Sequence, residues 1–107
     1  MAEESRFEKA LIDELKHLYP GCIILKNDSG YIQGFPDRLI LFEDKWAAFE
    51  VKAYATAKRR PNQDYYVRIL NDMSYATFVY PQNKEVFLYE LQQTLRSKRR
   101  TRVPFRF

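Results

Sequence analysis

A chain of 107 residues can bury one hydrophobic core but not two. With 46% hydrophobic and 16% aromatic residues and only three Gly, it reads as a folded domain rather than a disordered or low-complexity one. The net charge of +4 is modest but uneven: of 18 basic residues, three stand in KRR at 58–60 and six in RSKRRTRVPFRF at 96–107, and neither segment holds an acid. Such local positive charge predicts a polyanionic partner.

The single Cys22 excludes an intrachain disulfide, and no Cys/His spacing suits zinc. No apolar run approaches the roughly 18 residues of a membrane span. The opening MAEESRFEKA is acidic where a secretion signal would be basic and then apolar. The expectation is a cytoplasmic protein, neither exported nor membrane-spanning.

In chain order, residues 5–19 read as an amphipathic helix. Ser5 serves as N-cap, Glu8 completes a capping box, and YPG at 19–21 ends the helix. Its apolar stripe is Phe7, Leu11, Ile12, Leu15 and Leu18, with His17 on the solvent side. CIILKN at 22–27 reads as a strand and DSGYIQG at 28–34 as a loop. DRLILF at 37–42 and KWAAFEVK at 45–52 flank a short turn and form a predicted hairpin. A basic loop follows, then a helix opened by Pro61 and running to about residue 73, with Tyr66, Val67 and Leu70 on one side. YATFVY at 75–80 is a strand, and residues 84–98 form a last helix. The order helix, three strands, helix, strand, helix describes a layered α/β domain over residues 1–96, a small mixed sheet flanked by helices, followed by a basic tail at 97–107.

The hairpin carries the chemistry. Residues two apart on a strand share a face about 6.5–7 Å apart, so Glu50 and Lys52 face one way while Phe49 and Val51 face the core. Asp37 opens the preceding strand, and a turn near 43–45 brings it level with the Glu50–Lys52 end. Two neighbouring carboxylates repel each other, and a divalent cation relieves that repulsion. A hard ion such as Mg²⁺ (or Mn²⁺) takes one or two carboxylates with waters and phosphate oxygens. Asp37 and Glu50, with the carbonyl of Val51, supply such a set, and the Lys52 ammonium suits a phosphate or an attacking water. The chemistry this suggests is metal-assisted phosphodiester hydrolysis.

Pro36-Asp37 followed by Glu50-Val51-Lys52 resembles the signature of the PD-(D/E)XK nuclease superfamily. Within it the chain is most similar to the small virus-type replication-repair nuclease domains and the Holliday-junction resolvases. The resemblance runs from residue 7 to about residue 80 and implies a restriction-endonuclease-like core. Those relatives carry a Glu in the first helix, a Gly before the Asp and a Gln in the helix after the Lys, and the matching positions here are Glu8, Gly34 and Gln63. Helical geometry agrees with two of them. At about 100° per residue Glu8 falls inside the stripe of Leu11, Ile12 and Leu15, and Gln63 stands three, four and seven residues before Tyr66, Val67 and Leu70.

The resemblance implies a Mg²⁺- (or Mn²⁺-) dependent DNA endonuclease with no small-molecule cofactor, working as a homodimer because each site cuts one strand. Asp37 and Glu50 would hold the metal, Lys52 would position water or stabilise charge, and Glu8 and Gln63 would support the site. Branched DNA, including Holliday junctions, is the implied substrate. Phosphate contacts are expected from Lys58, Arg59, Arg60, Lys98, Arg99, Arg100 and Arg102. Plainer readings stand beside these. Glu8 also suits a capping box, Gln63 a helix edge, Asp37 a turn, and Glu50 with Lys52 an exposed ion pair of little worth. The alternative from another class is a non-catalytic nucleic-acid-binding module that keeps the same fold.

Overall fold

A computed structural model describes residues 2–28 and 30–97. The elements are α1 (Ala2–Leu18), β1 (Ile23–Lys26), β2 (Arg38–Phe42), β3 (Lys45–Val51), α2 (Gln63–Met73), β4 (Ala76–Val79), a 3-10 turn (Pro81–Asn83) and α3 (Lys84–Leu95). Over the described residues this is an α/β fold with three helices and a small mixed sheet, in the order β1-β2-β3-β4. The first two pairings are antiparallel and the third is parallel. A parallel neighbour requires a crossover connection, and α2 provides it. No helix of the described residues is long and apolar enough to cross a membrane.

Two helix starts differ from expectation. α1 begins at Ala2, with Glu3 and Glu4 in the first turn facing the positive end of its dipole, so Ser5 lies inside the helix and no capping box forms around it. α2 begins at Gln63, and Pro61 belongs to the turn before it. Between them Asn62 takes a left-handed conformation, φ 71°, which fits the tolerance of Asn for that region.

Strand alternation divides the interior in two. On one face Ile40, Phe42, Ala47, Phe49, Val51 and Val79 pack with Leu11, Leu15 and Tyr19 of the α1 segment and with Phe87, Leu91 and Leu95 of α3. The Phe49 and Phe87 ring centroids are 5.2 Å apart. On the other face Ala48 and Ala76 meet Leu70 of α2, with Phe35, Leu39, Trp46 and Val67 around them. Burying one large apolar side chain stabilises by about 1.5–3 kcal/mol at most, so the first face carries most of the packing. The ends of α1 and α3 are tied where Arg96 Nη2 donates to the Leu18 carbonyl at 2.6 Å. Glu50 and Lys52 project from the thinner face, beside the start of α2, because they alternate with Phe49 and Val51.

Candidate functional site

The register of the β2–β3 hairpin pairs Arg38 with Phe49, and one step further places Asp37 opposite Glu50. The Asp37 backbone N–H donates to Glu50 Oε1 at 2.9 Å. Two bonds from the end of β1 fix the Pro36-Asp37 turn: the Asn27 side-chain amide donates to the Pro36 carbonyl at 2.7 Å, and the Asn27 N–H donates to the Asp37 carbonyl at 2.6 Å. Lys26 Nζ stands 3.8 Å from Asp37 Oδ2.

The segment from Lys52 to Asn62 folds over this face. Lys52 Nζ donates to the Lys58 carbonyl at 3.1 Å. Arg59 lies over the ring of Phe78 at 3.9 Å and pairs with Asp64; Phe78 is the β4 partner of Glu50 in the ladder. Glu50 is therefore only 3% exposed and Lys52 9%. Burial pushes the Glu50 carboxyl above the ordinary carboxylate range, and the negative charge of Asp37 pushes it further. The Asp37 N–H, Lys52 and Arg60 pull the other way without cancelling the rise. Ionised Glu50 thus lacks part of the positive charge it needs.

Gln63 opens α2 and is 1% exposed. Its Oε1 accepts from the Arg60 N–H at 2.9 Å while the Gln63 backbone N–H donates to the Arg60 carbonyl at 3.2 Å, so the side chain does secure the helix edge. Among the described residues its Nε2 is buried with no partner. An unsatisfied buried donor costs about 1–3 kcal/mol, which singles out this amide. Gly34, at φ +89°, lies against the same turn: a Cβ there would fall 2.6 Å from the Pro61 carbonyl oxygen and 2.7 Å from the Asn62 Cβ. Only glycine lets the loop before Asp37 touch the turn before Gln63.

Glu8 is placed differently from the other candidates. Its Oε2 accepts from Arg38 Nε at 2.7 Å. Arg38 shares the face of Ile40 and Phe42, opposite the face that carries Asp37 and Glu50. The structure therefore pairs Glu8 with Arg38, neither closing a capping box nor joining the two carboxylates. Among the described residues no group of three or more His, Cys, Asp or Glu side chains is gathered for a metal. Lys58, Arg59 and Arg60 are exposed beside the site, whereas Lys98, Arg99, Arg100 and Arg102 lie outside the described residues. Sequence reasoning missed Lys26 and Asn27 as neighbours of Asp37. The one hint was an Asn closing a predicted strand just before a loop, a common turn position.

Two carboxylates and a carbonyl are hard oxygen donors, and they fit a hard divalent cation. The carbonyl is that of Val51. Continuing the register sets it opposite Pro36, which has no N–H to donate into the ladder. No protein-family model, curated protein or solved structure significantly matches the chain.

Proposed function

We propose that the chain is a divalent-metal-dependent DNA endonuclease with a restriction-endonuclease-like core of the PD-(D/E)XK kind. The observation that carries the reading is the buried Glu50, held opposite Asp37 and beside Lys52 on one sheet face with its carboxyl raised by burial. Such an arrangement destabilises an isolated fold and favours a bound cation.

Asp37, Glu50 and the Val51 carbonyl would hold Mg²⁺ or Mn²⁺, which when bound supplies charge neutralisation at a scissile phosphate. Lys52 exchanges its bond to the Lys58 carbonyl for one to a phosphate oxygen or the attacking water, adding positive charge where negative charge develops. Gln63 would support the site by holding the Arg60 turn through its Oε1. Glu8 contributes through Arg38, by steadying the strand that follows Asp37. Two copies acting together would cut both strands of a duplex or junction, and sedimentation at micromolar concentration as a dimer is the matching expectation.

The test is cleavage of single-stranded, duplex, flapped and four-way DNA, and of RNA, with Mg²⁺, Mn²⁺ or EDTA. DNA should be cut only with metal, and Asp37→Asn and Lys52→Ala should each lower the rate at least about 100-fold while preserving fold and DNA binding. Undiminished cutting in EDTA, or a wild-type rate in Lys52→Ala, overturns the mechanism. DNA binding with no cutting under any metal would leave the binding-module alternative.

A further inference from the structure

A cavity of about 330 Å³ opens in the connection between β1 and β2, lined by Asn27, Asp28, Tyr31, Ile32 and Phe35. It is shaped by three backbone N–H groups. Gly30 donates to Asp28 Oδ1 at 2.8 Å, Tyr31 to the Asp28 carbonyl at 3.1 Å, and Phe35 to the Ile32 carbonyl at 3.2 Å. The Phe35 ring is backed by Tyr66 at 5.6 Å between centroids. Tyr31, by contrast, stands 86% exposed at the edge.

The lining states what it would bind. Two aromatic rings and Ile32 suit a flat, weakly polar group, and the Asp28 carboxylate repels a phosphate but accepts from ring N–H and amino groups. A nucleobase has both features. The cavity is also coupled to the carboxylate pair, because Asn27 in its wall bonds to the carbonyls of Pro36 and Asp37. A base paired within a duplex keeps its faces stacked and its edge occupied, so only an unpaired or extruded base can enter. We propose that this cavity takes an unpaired nucleobase next to the phosphate that a cation at Asp37 and Glu50 would hold, with Tyr31 stacking on it. The proposal rests on the nuclease reading and narrows its substrate to DNA with unpaired nucleotides at the cut.

The full chain, kept in EDTA, is titrated with two DNAs: a fully paired duplex, and a duplex with a single-stranded flap whose first unpaired nucleotide is 2-aminopurine. Anisotropy gives affinity, and 2-aminopurine emission reports stacking. Wild-type protein should quench the emission. Tyr31→Ala should abolish the quench and weaken flap binding roughly 5- to 100-fold, the scale of one base–aromatic stack. Duplex binding should change by less than about twofold, since phosphate contacts dominate it. Tyr31→Phe, which keeps the ring, should behave as wild type. No quench by wild-type protein, or an equal loss on both DNAs in Tyr31→Ala, overturns the proposal. The same flap DNA is then offered with Mg²⁺. A Tyr31-dependent quench without cutting would sink the nuclease reading and keep the base pocket; cutting without any quench would do the reverse.

Discussion

Glu50 is the residue where stability and chemistry oppose each other. Its folded-state carboxyl is raised above the ordinary value of 4.5, so the metal-free fold binds that proton more tightly than the unfolded chain does. The stabilising contribution of protonated Glu50 is therefore complete below about pH 4.5 and is lost as pH rises through the raised value. Glu50→Gln, which keeps an acceptor for the Asp37 N–H, should melt higher than wild type at pH 7–8 in EDTA. Each 1 kcal/mol gained would read as about 4–8 °C. Mg²⁺ should raise the melting temperature of wild type and leave that of Glu50→Gln unmoved, and wild-type metal affinity should rise with pH as the proton is displaced. A Glu50→Gln protein that melts lower in EDTA would show that the buried carboxyl is well compensated. The two left-handed glycines give a second residue-scale contrast. Gly21→Ala, at φ +88° with nothing within 4 Å, meets only the backbone penalty, about 1 kcal/mol. Gly34→Ala also drives a methyl into Pro61 and Asn62, and should cost about 2–4 kcal/mol by urea denaturation and lower cutting as Gln63 is displaced. Equal costs at the two positions would mean that the Gly34 contact relaxes freely.

Elements were legible where one period sufficed. The apolar spacing of Leu11 and Leu15, and the alternation of Phe49 and Val51 with Glu50 and Lys52, each specify an element and a buried face from neighbours within a few residues. The turn at residues 43–44 then sets the register, and the register sets Asp37 against Glu50. What could not be read depends on side chains meeting across different elements. Glu8 has a partner 30 residues away, and the face of the sheet that α1 covers decides that it meets Arg38 and not Asp37. The approach of Arg59 and Arg60 to Phe78 and Glu50 depends on how an irregular loop folds back, which has no periodicity to read. Asn27 belongs to this second class, since it carries the end of β1 beyond the ladder to hold Pro36. Asn27→Ala removes the bond to the Pro36 carbonyl while keeping the backbone bond to Asp37. It should cost about 1 kcal/mol in stability and cut activity roughly tenfold, through a looser Asp37. Full activity in a measurably destabilised Asn27→Ala protein would make that bond purely structural.

Among the described residues, the run of three cations at 58–60 stands where the negative site opens. The +4 net charge matters less than the placement of Lys58, Arg59 and Arg60 on the segment covering Glu50. These three cations are not equivalent. Arg59 is engaged by Phe78 and Asp64, Arg60 acts on Glu50, and the exposed Lys58 side chain has the most freedom to meet a phosphate. Each cation that neutralises a phosphate releases condensed counterions, so the log–log salt slope of duplex binding should fall by about 0.9 in Lys58→Ala. Arg59→Ala should lower the slope less and loosen the loop, seen as faster amide exchange at residues 52–62. Removing residues 97–107 should lower the slope by several contacts if the basic tail reaches DNA. Arg60→Ala should do something that neither Lys58→Ala nor the truncation can do. With its charge gone Glu50 is pushed further above the ordinary range, so the rising limb of the pH–rate profile should move to higher pH, and more Mg²⁺ should be needed at any fixed pH. Profiles measured at saturating DNA separate that shift from the loss of affinity. An Arg60→Ala profile that superimposes on wild type after the affinity correction would show that Arg60 serves the backbone of the DNA alone, and that Glu50 ionises under the control of Lys52 and Asp37.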